Sequence, residues 1–168
     1  YTDATNTWLQ DFTTNQVNYQ TTNKFYVDPA RTDTYTPSGS LNKPFKSVGA
    51  ALTYIHAGID NTTITSPSIN PIFIVLKGST TENVNLSRGH IYLVGEYGNQ
   101  YTDIIVNGTV TFNGIDTTSS AIDNNYFGIA GIQISSGTNN NCIQTDGSNG
   151  QCLFLKDVML NVNGTGSA

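Results

Sequence analysis

Apolar positions along the chain fall into two patterns. Val48, Ala51, Leu52, Ile55 and Ile59 recur at helical spacing, which predicts one amphipathic helix over about 47–59. Pro44 stops any earlier helix and biases Lys43 towards an extended conformation. Ser47 supplies an N-cap hydroxyl, and Gly58 with the polar run after Asp60 predicts the end. The second pattern is a series of short apolar runs. IFIVL (72–76), IYLVG (91–95), VTF (110–112), GIQI (131–134) and LFLKDVML (153–160) start about 20 residues apart. A weaker set lies between them at a similar interval: NVNL (83–86), DIIV (103–106), AI (121–122) and CIQT (142–145).

Two interleaved strand series with a shared beat predict one structural unit repeated about four times. Each unit buries only a few aliphatic side chains, at about 1.5–3 kcal/mol apiece. Ordering its backbone costs roughly 1–2 kcal/mol per residue. A single unit therefore cannot stand alone, and stacking is required. A sandwich would call for hairpin turns and alternating strands. IFIVL and LFLKDVML are too continuously apolar for that. The expected fold is all-β, with the helix closing the apolar mouth of the first unit.

The 168 residues are enough for one domain with a real core. Only 11% are charged, with a net charge of −5, and Asn, Thr, Gly and Ser take the place of Lys and Glu on the surface. Seven Lys plus Arg leave no clustered cations for phosphates, so nucleic acid is not an expected partner. No apolar run reaches membrane-spanning length. The first residue is Tyr1 and no signal peptide is evident, so a processed chain or a piece of a longer one is expected.

Residues 1–23 are polar with Trp8, Leu9, Phe12, Val17 and Tyr19 scattered among them. They read as an arm or linker that docks on the stack or on a neighbouring subunit. A first strand, KFYVD (24–28), and a Pro/Gly/Ser loop (29–42) lead to the helix. A polar linker follows at 60–71. Residues 24–168 are expected to form one domain that continues further.

At this point the residues resemble a family. FYVD (25–28), NKPFKSVGAAL (42–52), NPIFIVLKGSTTENVNLS (70–87) and IYLVGE (91–96) look like the entry to a right-handed parallel β-helix, a solenoid, of the pectin-lyase-like superfamily. Gly78, Glu82, Asn83 and Val84 fall in the places of its first rung. The resemblance covers about residues 24–134 and is most like viral or phage tail fibre and tailspike proteins. It implies a capping helix, a parallel homotrimer and other virion proteins as partners, and a host surface glycan as a possible ligand. The same fold also hosts polysaccharide lyases, glycoside hydrolases and bacterial surface adhesins, so fold does not decide function.

Candidate chemistry is sparse. Calcium would need several carboxylates on one face, whereas Glu82, Glu96, Asp103, Asp116, Asp123, Asp146 and Asp157 are spread singly. Glu82 and Asp103, about one unit apart, are the best candidates for a glycosidase pair. The competing expectation is that Glu82 pairs with a backbone N–H or with Arg88. Arg31 lies in the entry loop and Arg88 in the turn SRGH. His56 on the helix and His90 before a strand lack partners at ligand or triad spacing and read as surface or cap residues. Cys142 and Cys152 have no zinc spacing and read as small buried residues inside strands, with a disulfide left open. Tyr35, Tyr97, Tyr101 and Tyr126 lie in or near turns, where ordinary packing competes with stacking on sugars. Sequons at Asn61, Asn85, Asn107 and Asn163 are expected by chance in so Asn- and Thr-rich a chain. Asn-rich turns such as TNNN (138–141) and GSNG (147–150) suit left-handed corners.

No catalytic, cofactor-binding or metal-binding residue is assigned, and no cofactor is expected. The leading expectation is a structural virion component, of tail fibre or spike type, located in the virion and serving host attachment. The alternatives are a lyase or hydrolase with its active site in later coils, and a secreted or cell-surface adhesin. VMLNVNGTGSA (158–168) offers no closing helix, so these residues are expected to be the first part of a longer stack, or the last coil to be covered by another subunit.

Overall fold

Side chains on a strand alternate between two faces. In Ile72–Leu76 the odd and even members accordingly join different apolar clusters, Ile72, Ile74 and Leu76 in the main core and Phe73 and Val75 on the opposite face. The structure, a computed structural model, describes residues 23–65, 71–96, 103–112, 125–137, 140–145 and 151–162. Among them are one helix, α1 (Val48–Asp60), and eleven strands. The strands are β1 (Lys24–Val27), β2 (Ile72–Leu76), β3 (Val84–Leu86), β4 (Ile91–Gly95), β5 (Ile105–Asn107), β6 (Val110–Phe112), β7 (Asn125–Ala130), β8 (Gln133–Ser136), β9 (Ile143–Thr145), β10 (Gln151–Lys156) and β11 (Met159–Val162).

The protein is predominantly β, with parallel sheets. Sheet 1 has the order β1-β2-β4-β7-β10, sheet 2 the order β11-β8-β5, and sheet 3 the order β3-β6-β9. Every strand pairing is parallel. From β3 onward the chain visits sheets 3, 1 and 2 in rotation. A bridge between Thr80 and Val106 extends sheet 2 one step further back. Backbone bonding continues through the corners: Thr80 N–H donates to Ile105 O, Gly108 N–H to Ser135 O, and Gly131 N–H to Lys156 O. Polar groups that a corner would otherwise strand are thus satisfied by the next circuit.

The interior is built of columns running across the strands. Ile74, Leu93, Ile129 and Leu155 stand opposite one another in sheet 1. Val106, Ile134 and Leu160 do so in sheet 2, and Val84, Val110 and Ile143 in sheet 3. The helix joins this core through Val48, Ala51, Leu52 and Ile55. It packs on β1 and β3, the first strands of sheets 1 and 3. At the opposite end the columns finish uncovered, with Leu155 47% and Leu160 49% exposed.

Several sequence expectations need correction. The beat is not constant. Partners are 19 residues apart between β2 and β4 (Ile72 opposite Ile91) and 36 between β4 and β7 (Tyr92 opposite Gly128). They are 26 apart between β7 and β10 (Asn125 opposite Gln151). The two apparent series also mix sheets: VTF belongs to sheet 3 and the strand after Gly131 to sheet 2. LFLKDVML is two strands, split where Asp157 adopts φ 50°. Strand β7 was not expected, because Asn125 and Gly128 interrupt its apolar character. Gly58 does not end the helix. It lies inside it, where Ile64 packs so closely that an added Cβ would meet Ile64 Cδ1 at 2.4 Å. The segment AI (121–122), residues 1–22 of the arm and the turn GSNG lie outside the described residues.

Candidate functional site

The first place to look for chemistry is Glu82, on the turn between Thr80 and β3. Its carboxylate sits under the start of α1. Oε1 accepts the Val48 N–H at 2.8 Å, and Oε2 accepts the Gly49 N–H at 2.9 Å. Thr80 Oγ1 donates to Oε1 at 2.6 Å. Helix N-termini present unpaired N–H groups and a partial positive charge, and the Glu82 side chain supplies the acceptors they lack. Ser47 completes the cap by accepting from the Ala50 N–H at 3.1 Å. Of the two expected roles for Glu82, pairing with backbone N–H is the one found. Arg88 instead pairs with Asp60 in the last turn of α1. Asp103 is exposed, and its backbone carbonyl faces the Ser79 hydroxyl at 3.5 Å. With three donors already on it, the Glu82 carboxylate is not available as a base to a partner at Asp103.

Among the other candidates, Glu96 pairs with Lys77 at 3.5 Å, while Asp116, Asp123, Asp146, Tyr97 and Tyr101 lie outside the described residues. Arg31 grips Asp33 through Nε at 2.7 Å and Nη2 at 2.6 Å, a hydrogen bond that holds the Asp33 carboxyl below the usual carboxylate range. Arg31 and Lys46 lie over the Tyr35 ring, at 5.2 and 5.5 Å from its centre, and the Tyr35 hydroxyl donates to Pro44 O at 2.8 Å. These contacts order the entry loop. Tyr126 is in β7, not in a turn, and packs against Phe154 at 5.8 Å. His90 is not a surface residue. It is only 8% exposed, takes a left-handed corner at φ 62°, and meets the Tyr126 ring edge-on at 5.5 Å.

His56 is half-buried on α1, and its Nε2 is buried with no hydrogen-bond partner among the described residues. Burial first, then the positive Arg88, push its pKa below the ordinary value, while Asp60 opposes them weakly. Cys142 is a buried free thiol immediately before β9, facing the carbonyls of Asn161 (3.3 Å) and Ile134 (3.5 Å). The Asn61 side chain accepts from Thr63 at the end of α1. Asn85 and Asn107 are exposed on β3 and β5, and Asn163 lies outside the described residues. Among the described residues no three His, Cys, Asp or Glu gather as a metal site, and no helix is long and apolar enough to cross a membrane.

The concavity that composition alone did not reveal lies where sheet 2 turns into sheet 3. A groove of about 300 Å³ is lined by Asn83, Asn107, Gly108, Thr109, Ser135, Ser136, Gly137 and Asn140. Its walls are braced internally. Asn83 Oδ1 accepts the Thr109 N–H at 2.9 Å, Thr109 Oγ1 donates to Asn141 O at 2.8 Å, and Ser136 Oγ donates to Asn140 O at 2.6 Å. The described residues that line the groove offer amides and hydroxyls, and none of them is a carboxylate or a cation. The groove can hydrogen-bond a neutral, hydroxyl-rich ligand. The signal that could have found it is the 26-residue spacing of Val84 and Val110, which brings Asn83 beside Thr109.

No family model matches the chain, and neither the curated proteins nor the solved structures contain a match to it. The class defined on physical grounds is a predominantly β protein of parallel sheets with one helix.

Proposed function

We propose that the chain forms the helix-capped entry of a right-handed parallel β-helix, of pectin-lyase-like type, and serves as a structural element of a viral tail fibre or spike. The observation that carries this reading is the rotation of successive strands through three parallel sheets, with α1 against the first strands and bare columns at the other end. A parallel stack of this kind is a rigid rod that resists unfolding through shared backbone ladders.

The tying-up of Glu82 supports a non-catalytic role for the visible circuits. The amide and hydroxyl groove at Asn107 and Ser136 supplies a surface for a neutral host glycan, bound by hydrogen bonds and without charge. The exposed ends of the columns, Leu155 and Leu160, fit burial against a further layer in a trimeric assembly.

One set of experiments tests this. Analytical ultracentrifugation of the full-length protein is expected to give a trimer, and antibody labelling of purified particles is expected to mark the virion. Incubation with host surface glycans is expected to give binding without release of oligosaccharides. Released oligosaccharides overturn the structural role in favour of a lyase or hydrolase. Labelling confined to a cell envelope overturns the virion assignment in favour of an adhesin.

A further inference from the structure

The helix that closes the core is tied down at both ends. At its start, Glu82 accepts the Val48 and Gly49 N–H groups. At its finish, Asp60 pairs with Arg88, which lies in the turn between β3 and β4. Among the described residues this is the one ion pair that joins α1 to a circuit. His56 lies one turn before Asp60, and side chains four residues apart share a helix face. Its Nε2 is enclosed and meets no acceptor among the described residues. A neutral imidazole tolerates this, because one of its nitrogens carries no hydrogen. An imidazolium carries N–H on both nitrogens and needs an acceptor or water at each. The charged groups that act on His56 among the described residues are Arg88 and Asp60, and the repulsion from Arg88 outweighs the attraction of Asp60.

We propose that His56 is a proton-operated release for the latch between Asp60 and Arg88. The imidazolium leaves its enclosed site, competes for the Asp60 carboxylate, and frees the last turns of α1 from the β3–β4 turn. Glu82 keeps its hold on the helix start, so the entry end hinges open while the circuits stay folded. Such an opening uncovers Ile55, which is fully buried when the helix is closed. Local openings of this kind break few contacts and lie below global unfolding in free energy. A solvated imidazole takes up its proton near pH 6.5. If the closed form holds His56 neutral, the opening equilibrium grows up to about tenfold between pH 7.5 and pH 5.5. Free carboxylates titrate near pH 4 and stay ionised over that range. This inference does not depend on the virion assignment.

Amide hydrogen exchange of the full chain, read by mass spectrometry and corrected for intrinsic rates, tests it. Residues 52–61 are expected to exchange faster than β2 and β4 at both pH values, with little dependence on low urea. Their exchange is expected to rise up to about tenfold from pH 7.5 to pH 5.5. His56→Gln is expected to abolish that rise. Arg88→Gln removes the latch, so the helix end is expected to exchange faster already at pH 7.5 and to respond less to acid. If His56→Gln fails to fold, Arg88→Gln decides alone. Helix amides that exchange only as fast as those of β2 and β4, an acid step that survives in His56→Gln, or wild-type exchange of Arg88→Gln at both pH values each overturn the proposal.

Discussion

Glu82 caps the helix at Val48: its Oε1 accepts the Val48 N–H at 2.8 Å across 34 residues of sequence. Together with the bond to Gly49, this ties the turn before β3 to the helix that covers the core. Helix capping is usually local. Here the cap comes from the circuit that the helix closes, so folding of the helix and of the first circuit are coupled.

Glu82→Ala removes both acceptors and leaves the Val48 and Thr80 donors under-satisfied. Charge-assisted bonds and the helix dipole together put the cost at about 2–4 kcal/mol. Glu82→Gln retains one acceptor oxygen and is expected to lose about half as much. Urea unfolding followed by circular dichroism measures both. Equal stability of wild type and Glu82→Ala would show that the cap contributes nothing.

His56 sets a pH dependence. Its pKa is depressed in the folded protein, by burial first and by Arg88 second. In the unfolded chain it titrates near 6.5. Below that pH the unfolded chain binds the proton and the folded chain does not, so stability falls. The loss begins near pH 6.5, ends once the pH drops through the folded-state value, and is absent above neutrality. His56→Gln is expected to flatten the thermal midpoint between pH 7 and pH 5. An unchanged slope in the variant would assign it to other groups.

The corner from sheet 1 to sheet 2 repeats one backbone device. Gly131 and Asp157 follow Ala130 and Lys156, which stand opposite each other, and both are left-handed, at φ 64° and 50°. Asp157→Gly relieves a conformation that costs L-residues about 1–2 kcal/mol, and is expected to be neutral or stabilising. Gly131→Ala incurs a similar cost in the other direction. Gly95→Ala is expected to be far worse, because its Cβ would meet Gly131 O at 2.3 Å. Thermal unfolding of the three variants should rank them in that order.

The bare columns give a prediction for assembly. Leu155→Lys with Leu160→Lys places charge on side chains that are 47% and 49% exposed in the single chain. The monomer is expected to lose under about 1 kcal/mol, as exposed sites do. Association through that end is expected to fall sharply. Light scattering after size exclusion separates the two effects, and an oligomeric state unaltered by the substitutions would count against the proposed association through this end.

Much of the fold was legible because the sequence carries strong local signals. Ser47 and the 3.6-residue spacing of Val48, Ala51, Leu52 and Ile55 mark the helix. Unbroken runs such as IFIVL mark strands buried on both faces. The circuits were harder to read, since corner segments vary in length while strands stay short. A run's distance from the last one therefore does not reveal its sheet. That is why VTF and GIQI fall by spacing into one series with IFIVL yet belong to other sheets, and why β7, with Gly128 at its middle, carries no clear apolar signal. The groove was illegible for the same reason. Asn83, Thr109 and Ser136 carry no motif and meet only through register.

Local structure, then, is settled by the amino-acid order: the helix at Val48–Asp60, short apolar strands and few charges. What each polar residue does was settled by the third dimension. Glu82 is a helix cap because the turn before β3 passes beneath Val48, and His90 is buried because its corner faces Tyr126. Hydrophobic period and capping propensity act over a few residues and are written in sequence. Parallel register joins strands 19 to 36 residues apart and is fixed by how whole circuits pack.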